Sequence, residues 1–280
     1  MVLFDSNENL PSYSALMCVY EKEIPVNFNN SLESMLMQTY PPAEFVLVCD
    51  GKLTNELNII AKSFASEYKN IFKIVRTEEN VSLGAALNIG IAHCSEEYII
   101  KMDSDDISEP DRCATQMRVF AIDPDLDILG GYVEEFDSET EKTIALKKCP
   151  LHHKEIIKYA KRRNPFNRQT VAFKKSKAFE AGGYSDLPHC SDYEFAVRMI
   201  KSGARTQNIP KMLVRYRVSK SYRRKKHWSN TKSFIIVRHR IYKAGFSGFF
   251  DFLIPVMAQL LMFILPTRFT DLLYRNVLRK

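Results

Sequence analysis

Four short, largely apolar runs, separated by stretches with helical spacing, constrain the fold of this chain more than any other feature. They cover Tyr13 to Val19, Phe45 to Cys49, Phe72 to Val75 and Tyr98 to Met102. Continuous apolar runs of this length are typical of strands buried on both faces. Their regular alternation with helices predicts an α/β fold with a mostly parallel central sheet flanked by helices. The capping-box spacing of Ser108 to Asp111 predicts the start of a further helix.

Two of the predicted strands end abruptly at an aspartate. Asp50 follows the second run, and Asp103 opens an acidic segment that continues to Asp106 after the fourth run. Ligands of open α/β sheets bind beyond the carboxyl ends of the strands. Crowded carboxylates there suit Mg²⁺ or Mn²⁺, which bind through one or two carboxylates together with substrate phosphates. The alternative for each aspartate is a solvated turn, because Asp before Gly51 is a common turn pair.

The charge of the chain is unevenly distributed. The formal net charge is +7 over 280 residues, and Lys and Arg are concentrated in residues 211–280. Such a region predicts an anionic partner (phosphate groups, anionic lipid or nucleic acid) unless it is only a solvated face. Six scattered cysteines without metal-ligand spacing indicate buried free thiols in a reducing compartment. The first 11 residues lack the regions of a secretory signal, so we expect a cytosolic protein.

The last apolar stretch, residues 249–265, is interrupted by Asp251, Pro255 and Gln259. It is short for a helix that spans a membrane. An apolar stretch with basic flanks fits a helix that lies in the membrane interface. The alternative is a helical hairpin packed on the core. The basic residues that follow are Arg268, Arg275, Arg279 and Lys280.

Together these motifs resemble the family 2 glycosyltransferases with the GT-A fold. The resemblance covers most of residues 13–220. The matching segments are Ser14 to Tyr20, Ser31 to Pro41, Val46 to Gly51, Asn80 to Gly90 and Met102 to Asp106, while Gly130 to Phe136 and Asn164 to Asn167 resemble the branch with amylovoran-type exopolysaccharide transferases. We therefore expect a GT-A catalytic domain over residues 1–225, with a nucleotide half at about 12–110 and an acceptor half at about 111–225. A basic, apolar helical extension over 226–280 would follow it.

The resemblance implies an inverting glycosyltransferase of bacterial surface polysaccharide synthesis (O-antigen, capsule or exopolysaccharide). Its donor would be a nucleotide-diphosphate sugar, with a UDP-sugar favoured, and its acceptor a saccharide linked to undecaprenyl diphosphate. It would use Mn²⁺ or Mg²⁺ and would bind no nucleic acid. It would work as a peripheral protein on the inner face of the bacterial cytoplasmic membrane.

The resemblance also implies roles for single residues. Asp105 resembles the direct metal ligand, and Asp50 resembles the acid that hydrogen-bonds the nucleotide base. Asp192 resembles the catalytic base, which accepts the proton of the acceptor hydroxyl. The alternative is an aspartate that caps the start of a helix, and the two roles can coexist. The further residues implied in nucleotide-sugar binding are Tyr20, Asn80, Gly84, Asn88, Asp103, Ser104, Arg168 and Arg217.

Four features of the second half of the chain bear on these roles. Relatives commonly have Glu where Ser191 stands, and those of the closer branch often have His where Arg168 stands. The segment from Arg215 to Lys220 lies where relatives place a flexible loop that closes over the diphosphate, and residues 223–226 extend it with basic side chains. Guanidinium groups suit bidentate phosphate contacts. Trp228 could stack on a sugar, but a lone tryptophan more often packs within the protein.

Two other classes of protein share part of this pattern. A sugar nucleotidyltransferase can have an α/β nucleotide fold, but it needs a glycine-rich basic loop after the first strand. Here Tyr20 to Pro25 contains no glycine. A nucleic-acid-binding protein could use the basic C-terminal region, but it would give no reason for the acidic segment beside the nucleotide site.

Overall fold

The computed structural model describes residues 10–218 and 227–265. Its strands are β1 (Tyr13–Tyr20), β2 (Glu44–Asp50), β3 (Phe72–Arg76), β4 (Tyr98–Asp103), β5 (Ile107–Ser108), β6 (Ile128–Asp137), β7 (Thr143–Lys147), β8 (Ala172–Lys174) and β9 (Thr206–Val218). Its helices are α1 (Pro25–Leu36), α2 (Asn55–Glu67), α3 (Leu83–His93), α4 (Arg112–Ile122), α5 (His153–Ala160), α6 (Lys175–Glu180), α7 (Ser191–Lys201), α8 (Trp228–Lys243) and α9 (Phe249–Ile264), with a short 3-10 helix at Arg168–Thr170.

The strands form one sheet in the order β3-β2-β1-β4-β8-β6-β9-β5, with β7 paired to β6. Its first half is parallel, because β1 pairs in parallel with β2 and β4, and β2 pairs in parallel with β3. The register places Tyr20 opposite Asp50 and Cys18 opposite Asp103. The carboxyl ends of β1, β2 and β4 therefore meet at one edge, as the strand pattern predicts.

The second half of the sheet pairs in both directions. β8 runs antiparallel to β4 and β6, whereas β6 and β9 form a long parallel pair. The short strand β5 pairs antiparallel with β9 and sets Ile107 beside Arg215. This pairing carries the end of β9 back to the acidic segment that follows β4.

Apolar side chains cover both faces of the sheet, which explains why its strands read as continuous apolar runs. In β1, Ala15 and Met17 face one core with the buried sides of α1, α2 and α4. Leu16, on the opposite face, packs with α3, α7 and α8. Burying both faces removes water from most side chains of the strand, so an apolar residue is favoured at successive positions and not only at alternate ones.

The predicted helix start at Ser108 is wrong by four residues. Ser108 belongs to β5, where it pairs with Val214, and α4 begins at Arg112 without a side-chain cap. The backbone of Ser108 is committed to a strand, so it cannot open the helix. Gln38 provides the contact instead, because its amide oxygen accepts the backbone N–H of Cys113 at 2.9 Å.

The helices α8 and α9 form a hairpin that packs on the domain through α8. Val237 and Ile241 of α8 are buried in the core that contains α7. The Trp228 and Phe263 ring centroids lie 5.4 Å apart, so the tryptophan packs within the hairpin. No helix in residues 10–218 and 227–265 has the length and apolarity needed to cross a bilayer. The predicted boundary at 225/226 and the basic residues at 268–280 lie outside the described residues.

Candidate active site

The carboxyl end of β4 carries an aspartate that the protein itself neutralises. The Lys101 ammonium group pairs with Asp103 Oδ1, and a guanidinium nitrogen of Arg168 lies 3.5 Å from Oδ2. Burial alone would raise the pKa of Asp103, but the two cations outweigh it and lower this pKa to about 2. Asp103 is therefore an ionised group whose charge is already compensated.

Asp105 is the opposite case. Burial, together with the nearby Asp103 and Glu23 carboxylates, raises the pKa of Asp105 to about 6. Asp106 is fully buried, and burial together with Asp105 and Asp103 raises its pKa as well. Its Oδ1 accepts the Arg217 backbone N–H at 2.9 Å, while Oδ2 has no hydrogen-bond partner among the described residues. The segment thus holds more carboxylate charge than the neighbouring side chains compensate.

This charge fits a divalent cation. Within the described residues no three His, Cys, Asp or Glu side chains converge into a preformed metal cage. A cation held here would therefore take one or two carboxylate ligands, Asp105 first, and complete its shell with phosphate oxygens and water. Mg²⁺ and Mn²⁺ are bound in this way at phosphate-handling sites.

Glu23 belongs to this site although the sequence did not single it out. It lies in the turn after β1, and its Oε2 accepts the Ser104 hydroxyl at 2.6 Å. Burial raises the pKa of Tyr20, with Glu23 and Asp105 adding to the effect, so the partly exposed Tyr20 ring borders the same acidic cluster. The sequence offered one indication of this role, because Glu23 follows a predicted strand whose carboxyl end faces the site.

Arg217 lies in the strand β9, which corrects the expected flexible loop from Arg215 onward. Residues 215–218 pair with β6, and residues 219–226 lie outside the described part of the chain. Arg217 Nε donates to the backbone carbonyl of Asp105 at 3.0 Å. The guanidinium carbons of Arg215 and Arg217 each lie 4.7 Å from the centroid of the Phe136 ring. Strand pairing and this stacking hold Arg217 against the acidic segment.

Asp50 fixes the backbone that leads into α3. Its Oδ1 accepts the Val81 N–H at 2.8 Å, and its Oδ2 accepts the Asn80 amide at 3.0 Å. Gly51 has φ +75°, and a Cβ there would lie 2.8 Å from the Asn80 nitrogen. The Asp50–Gly51 pair therefore bends the backbone after β2, but Asp50 is buried and not part of a solvated turn. Its contact with the nucleotide base stays a prediction.

Gly84 and Asn88 of α3 join the two halves of the domain. A Cβ at Gly84 would lie 2.2 Å from the carbonyl oxygen of Ser185. The Asn88 amide donates to the Tyr184 carbonyl at 2.8 Å and accepts the Tyr184 N–H at 2.7 Å. Both residues thus contact the loop that leads to α7, and their contact with a nucleotide sugar stays a prediction.

Asp192 lies in the first turn of α7 and points away from the cap. The cap position is Cys190, in the left-handed conformation at φ 64°, and it makes no side-chain cap hydrogen bond. Asp192 Oδ2 instead accepts the Asn164 amide at 2.7 Å. The alternative that Asp192 caps the helix is therefore wrong, and Asn164 is its hydrogen-bond partner. Ser191, where relatives commonly have Glu, is buried at the start of α7.

Arg168 connects the acidic edge to Asp192. The Asp103 carboxylate is the main cause that raises the pKa of Arg168, and Tyr216 and Asp192 add to it against the effect of burial. A small cavity beside Asp192 is lined by residues that include Lys101, Asn164, Arg168, Tyr184, Asp192 and Phe195. The sequence missed the roles of Lys101 and Asn164. A lone lysine in a buried strand was a usable signal for Lys101, because it needs an anionic partner.

Comparison with known proteins identifies the class of this protein. A family model described as glycosyl transferase family 2 matches residues 14–183. The chain belongs to glycosyltransferase family 2 and is a glycosyltransferase, so the resemblance seen in the sequence is confirmed and the nucleotidyltransferase alternative is set aside.

Relatives match over nearly the whole chain. It is 34% identical over 275 residues to the UDP-Gal:alpha-D-GlcNAc-diphosphoundecaprenol beta-1,3-galactosyltransferase of Escherichia coli, covering 98% of this chain and 99% of that protein. It is 32% identical over 269 residues to the amylovoran biosynthesis glycosyltransferase AmsE of Erwinia amylovora, covering 94% and 98%.

A solved structure confirms the fold. The mannosyltransferase PcManGT from Pyrobaculum calidifontis, in complex with GDP-Man and Mn²⁺, matches with a TM-score of 0.63 at 17% identity, over 93% of this chain and 72% of that chain. The GT-A fold predicted from the strand pattern and the resemblance is confirmed.

Proposed function

We propose that this enzyme transfers a sugar from a UDP-sugar, with inversion at the anomeric carbon, to a saccharide carried on undecaprenyl diphosphate. The product would extend a bacterial surface polysaccharide. The observation that carries the proposal is Asp105, a carboxylate whose pKa is raised by burial and by neighbouring carboxylates, placed beside the neutralised Asp103 at the ligand edge of a GT-A sheet. The name of the Escherichia coli relative supports the choice of donor nucleotide and lipid-linked acceptor.

Donor binding follows from the chain's own groups. Asp105 would hold Mn²⁺ or Mg²⁺, and the bound cation would neutralise charge on the departing diphosphate. Asp50, Asn80 and Tyr20 lie at the same edge and would contact the nucleoside. Arg217, fixed beside Asp105, has a guanidinium group suited to a phosphate oxygen.

Proton transfer falls to Asp192. An inverting transfer needs one carboxylate to accept the proton of the acceptor hydroxyl while its oxygen attacks the anomeric carbon. The Asn164 amide occupies Oδ2 of Asp192, so Oδ1 is the oxygen that would receive the proton. Arg168 lies between Asp192 and Asp103, so its positive charge would border both the donor sugar and the acceptor.

Membrane docking follows from the outer face of α9. Phe250, Ile254, Met257, Leu261 and Ile264 are all more than half exposed. Their spacing places them on one stripe of the helix. An exposed apolar stripe of this length marks a contact surface. We assign it to the cytoplasmic leaflet of the membrane that carries the lipid-linked acceptor, where the enzyme would bind as a peripheral protein.

A panel of nucleotide diphosphates and nucleotide sugars tests the donor assignment. Purified enzyme with Mn²⁺ should be protected against thermal unfolding by UDP and by a UDP-sugar, because ligands that bind only the folded state raise Tm. It should also hydrolyse that donor slowly. Equal protection by GDP or dTDP, or protection that persists in excess chelator, would contradict the assignment.

A further inference from the structure

We infer that Asn164 is a positioning residue for the proposed base Asp192, and that the loop of residues 161–167 holds it in place. This inference rests on the proposed function, because in that function Asp192 accepts the proton of the acceptor hydroxyl. The carrying observation is the 2.7 Å hydrogen bond from the Asn164 amide nitrogen to Asp192 Oδ2.

The direction of this hydrogen bond is fixed by a second contact. Asn164 Oδ1 accepts the backbone N–H of Phe166 at 3.2 Å. A backbone N–H can only donate, so the oxygen of the amide must face Phe166 and the nitrogen must face Asp192. The donated bond occupies one carboxylate oxygen and fixes the rotation of the side chain. The other oxygen, Oδ1, is left for the proton of the acceptor, and Asp192 lines the cavity beside it.

The loop that carries Asn164 is anchored on both sides. The buried Arg238 of α8 donates to the Lys161 carbonyl at 2.6 Å, and Arg162 Nε donates to Asp251 of α9 at 2.6 Å. On the far side, the Asn208 amide donates to the Pro165 carbonyl at 3.1 Å. Because the loop is held on both sides of Asn164, the amide has little freedom to turn away from Asp192.

A second link runs from the C-terminal hairpin to α7. Arg238 also donates to the hydroxyl of Tyr193, the residue next to Asp192, and to the Asp251 carbonyl at the start of α9. The Tyr193 hydroxyl donates to the Ala160 carbonyl at 2.7 Å. The hairpin that carries the exposed apolar stripe is thus joined to both sides of the Asn164–Asp192 contact.

The first test exchanges the side chains of Asn164 and Asp192 and measures thermal stability. Asn164→Asp keeps the acceptor for the Phe166 N–H, but it loses the donated hydrogen and sets two carboxylates face to face. In Asn164→Asp/Asp192→Asn the amide and the carboxylate trade places, so the contact can form again. We expect Tm to fall in Asn164→Asp and to recover most of that loss in the double variant. A double variant no more stable than Asn164→Asp would overturn the contact.

The second test measures kcat and the donor KM of Asn164 variants. Asn164→Asp and Asn164→Ala should lower kcat about 10- to 100-fold, the usual effect of losing a hydrogen bond to a charged group. The donor KM should stay within about twofold, since Asn164 is not among the residues proposed to bind the donor, and Asn164→Gln should recover part of kcat. Asn70→Asp, in the exposed turn before β3, is the control and should behave like wild type.

The outcomes separate the two claims. If wild type transfers sugar and Asn164→Asp turns over at the wild-type rate, the positioning role is overturned and the proposed function stands. If wild type transfers no sugar from any nucleotide donor, the proposed function fails, and with it the role for Asn164. In that case the stability exchange would still establish the contact itself.

Discussion

Single residues at the ligand edge divide into those that the protein compensates and those that it leaves uncompensated. Lys101 and Arg168 compensate the charge of Asp103, whereas burial and the carboxylates of Asp103 and Glu23 raise the pKa of Asp105 more than Arg168 lowers it. Buried carboxylates without such partners are typical of sites that receive a cation. The assignment of the metal to Asp105 therefore follows from charge as well as from resemblance.

We expect Asp105→Ala to abolish sugar transfer and Mn²⁺-dependent binding of UDP. The fold should stay intact, because the substitution removes a carboxylate whose burial already disfavours its charge. Isothermal titration with UDP in the presence of Mn²⁺ measures the loss. Wild-type affinity should also decline as the pH falls through about 6, since protonation of Asp105 competes with the cation.

The matched control is Asp125→Ala, which removes an exposed partner of Arg205 far from the ligand edge. It should bind UDP as wild type does. Full transfer by Asp105→Ala, or full wild-type transfer in excess chelator, would refute the metal assignment.

We expect Asp192→Asn to keep donor binding while turnover falls roughly 10²–10⁴-fold, the usual contribution of a general base. The amide has the shape of the carboxylate but cannot accept the proton. Steady-state kinetics combined with equilibrium donor binding separate the two effects. A collapse of donor affinity with unchanged turnover of bound donor would make Asp192 a donor-binding residue instead.

Among the structural elements, those with strong local patterns were predictable. The parallel strands β1 to β4 follow from apolar runs, and the ligand edge follows from the aspartates that end β2 and β4. The strand β5 was not predictable, because two residues carry no periodicity and Ser108 pairs with a strand about a hundred positions later. The same long-range pairing turns the expected loop at Arg215 into part of β9.

Contacts in the site between residues far apart in the sequence could not be predicted either. The contacts of Ser104 with Glu23 and of Asp192 with Asn164 join residues 81 and 28 positions apart. No local pattern marks such a pair. The sequence could identify Asp192 only through resemblance, and the structure was needed to find the amide that holds it.

Arg238 provides the buried hydrogen bonds that join the C-terminal hairpin to the domain. Replacing this fully buried residue by Met leaves the Tyr193 hydroxyl and the Lys161 and Asp251 carbonyls without their donor. Buried polar groups without a partner cost about 1–3 kcal/mol each. We expect Arg238→Met to lower the free energy of unfolding by about 2–5 kcal/mol, measured by urea denaturation.

Arg162→Met is the control for this prediction, because it removes an ion pair to Asp251 whose arginine is 54% exposed. Exposed ion pairs contribute less than about 1 kcal/mol. An equal loss of stability in the two variants would contradict the central position of Arg238.

At the scale of the whole molecule, one end of the domain gathers the residues that we propose to bind donor and acceptor, while the hairpin offers an apolar stripe. We expect the enzyme to co-sediment with anionic vesicles through this stripe. Burial of a large apolar side chain contributes about 1.5–3 kcal/mol, and each nearby basic residue about 1 kcal/mol more. Ile254→Glu/Leu261→Glu should abolish co-sedimentation without lowering Tm, because both residues are more than half exposed.

Phe179→Glu, at an exposed position on α6, is the matched control and should still co-sediment. Equal pelleting of the stripe variant and wild type, or of neither, would refute the docking surface. The catalytic assignment would be unaffected by that outcome.

The central claim is sugar transfer from a nucleotide donor to a lipid-linked acceptor, and mass spectrometry of the acceptor tests it most directly. Wild-type enzyme would be incubated with Mn²⁺, a UDP-sugar and a GlcNAc-diphospho-lipid, with Asp105→Ala in parallel. The account predicts an acceptor extended by one sugar with the wild type, free UDP in equal amount, and no extension with the variant. An acceptor that no UDP-sugar extends, while a donor with another nucleotide does, would contradict the account.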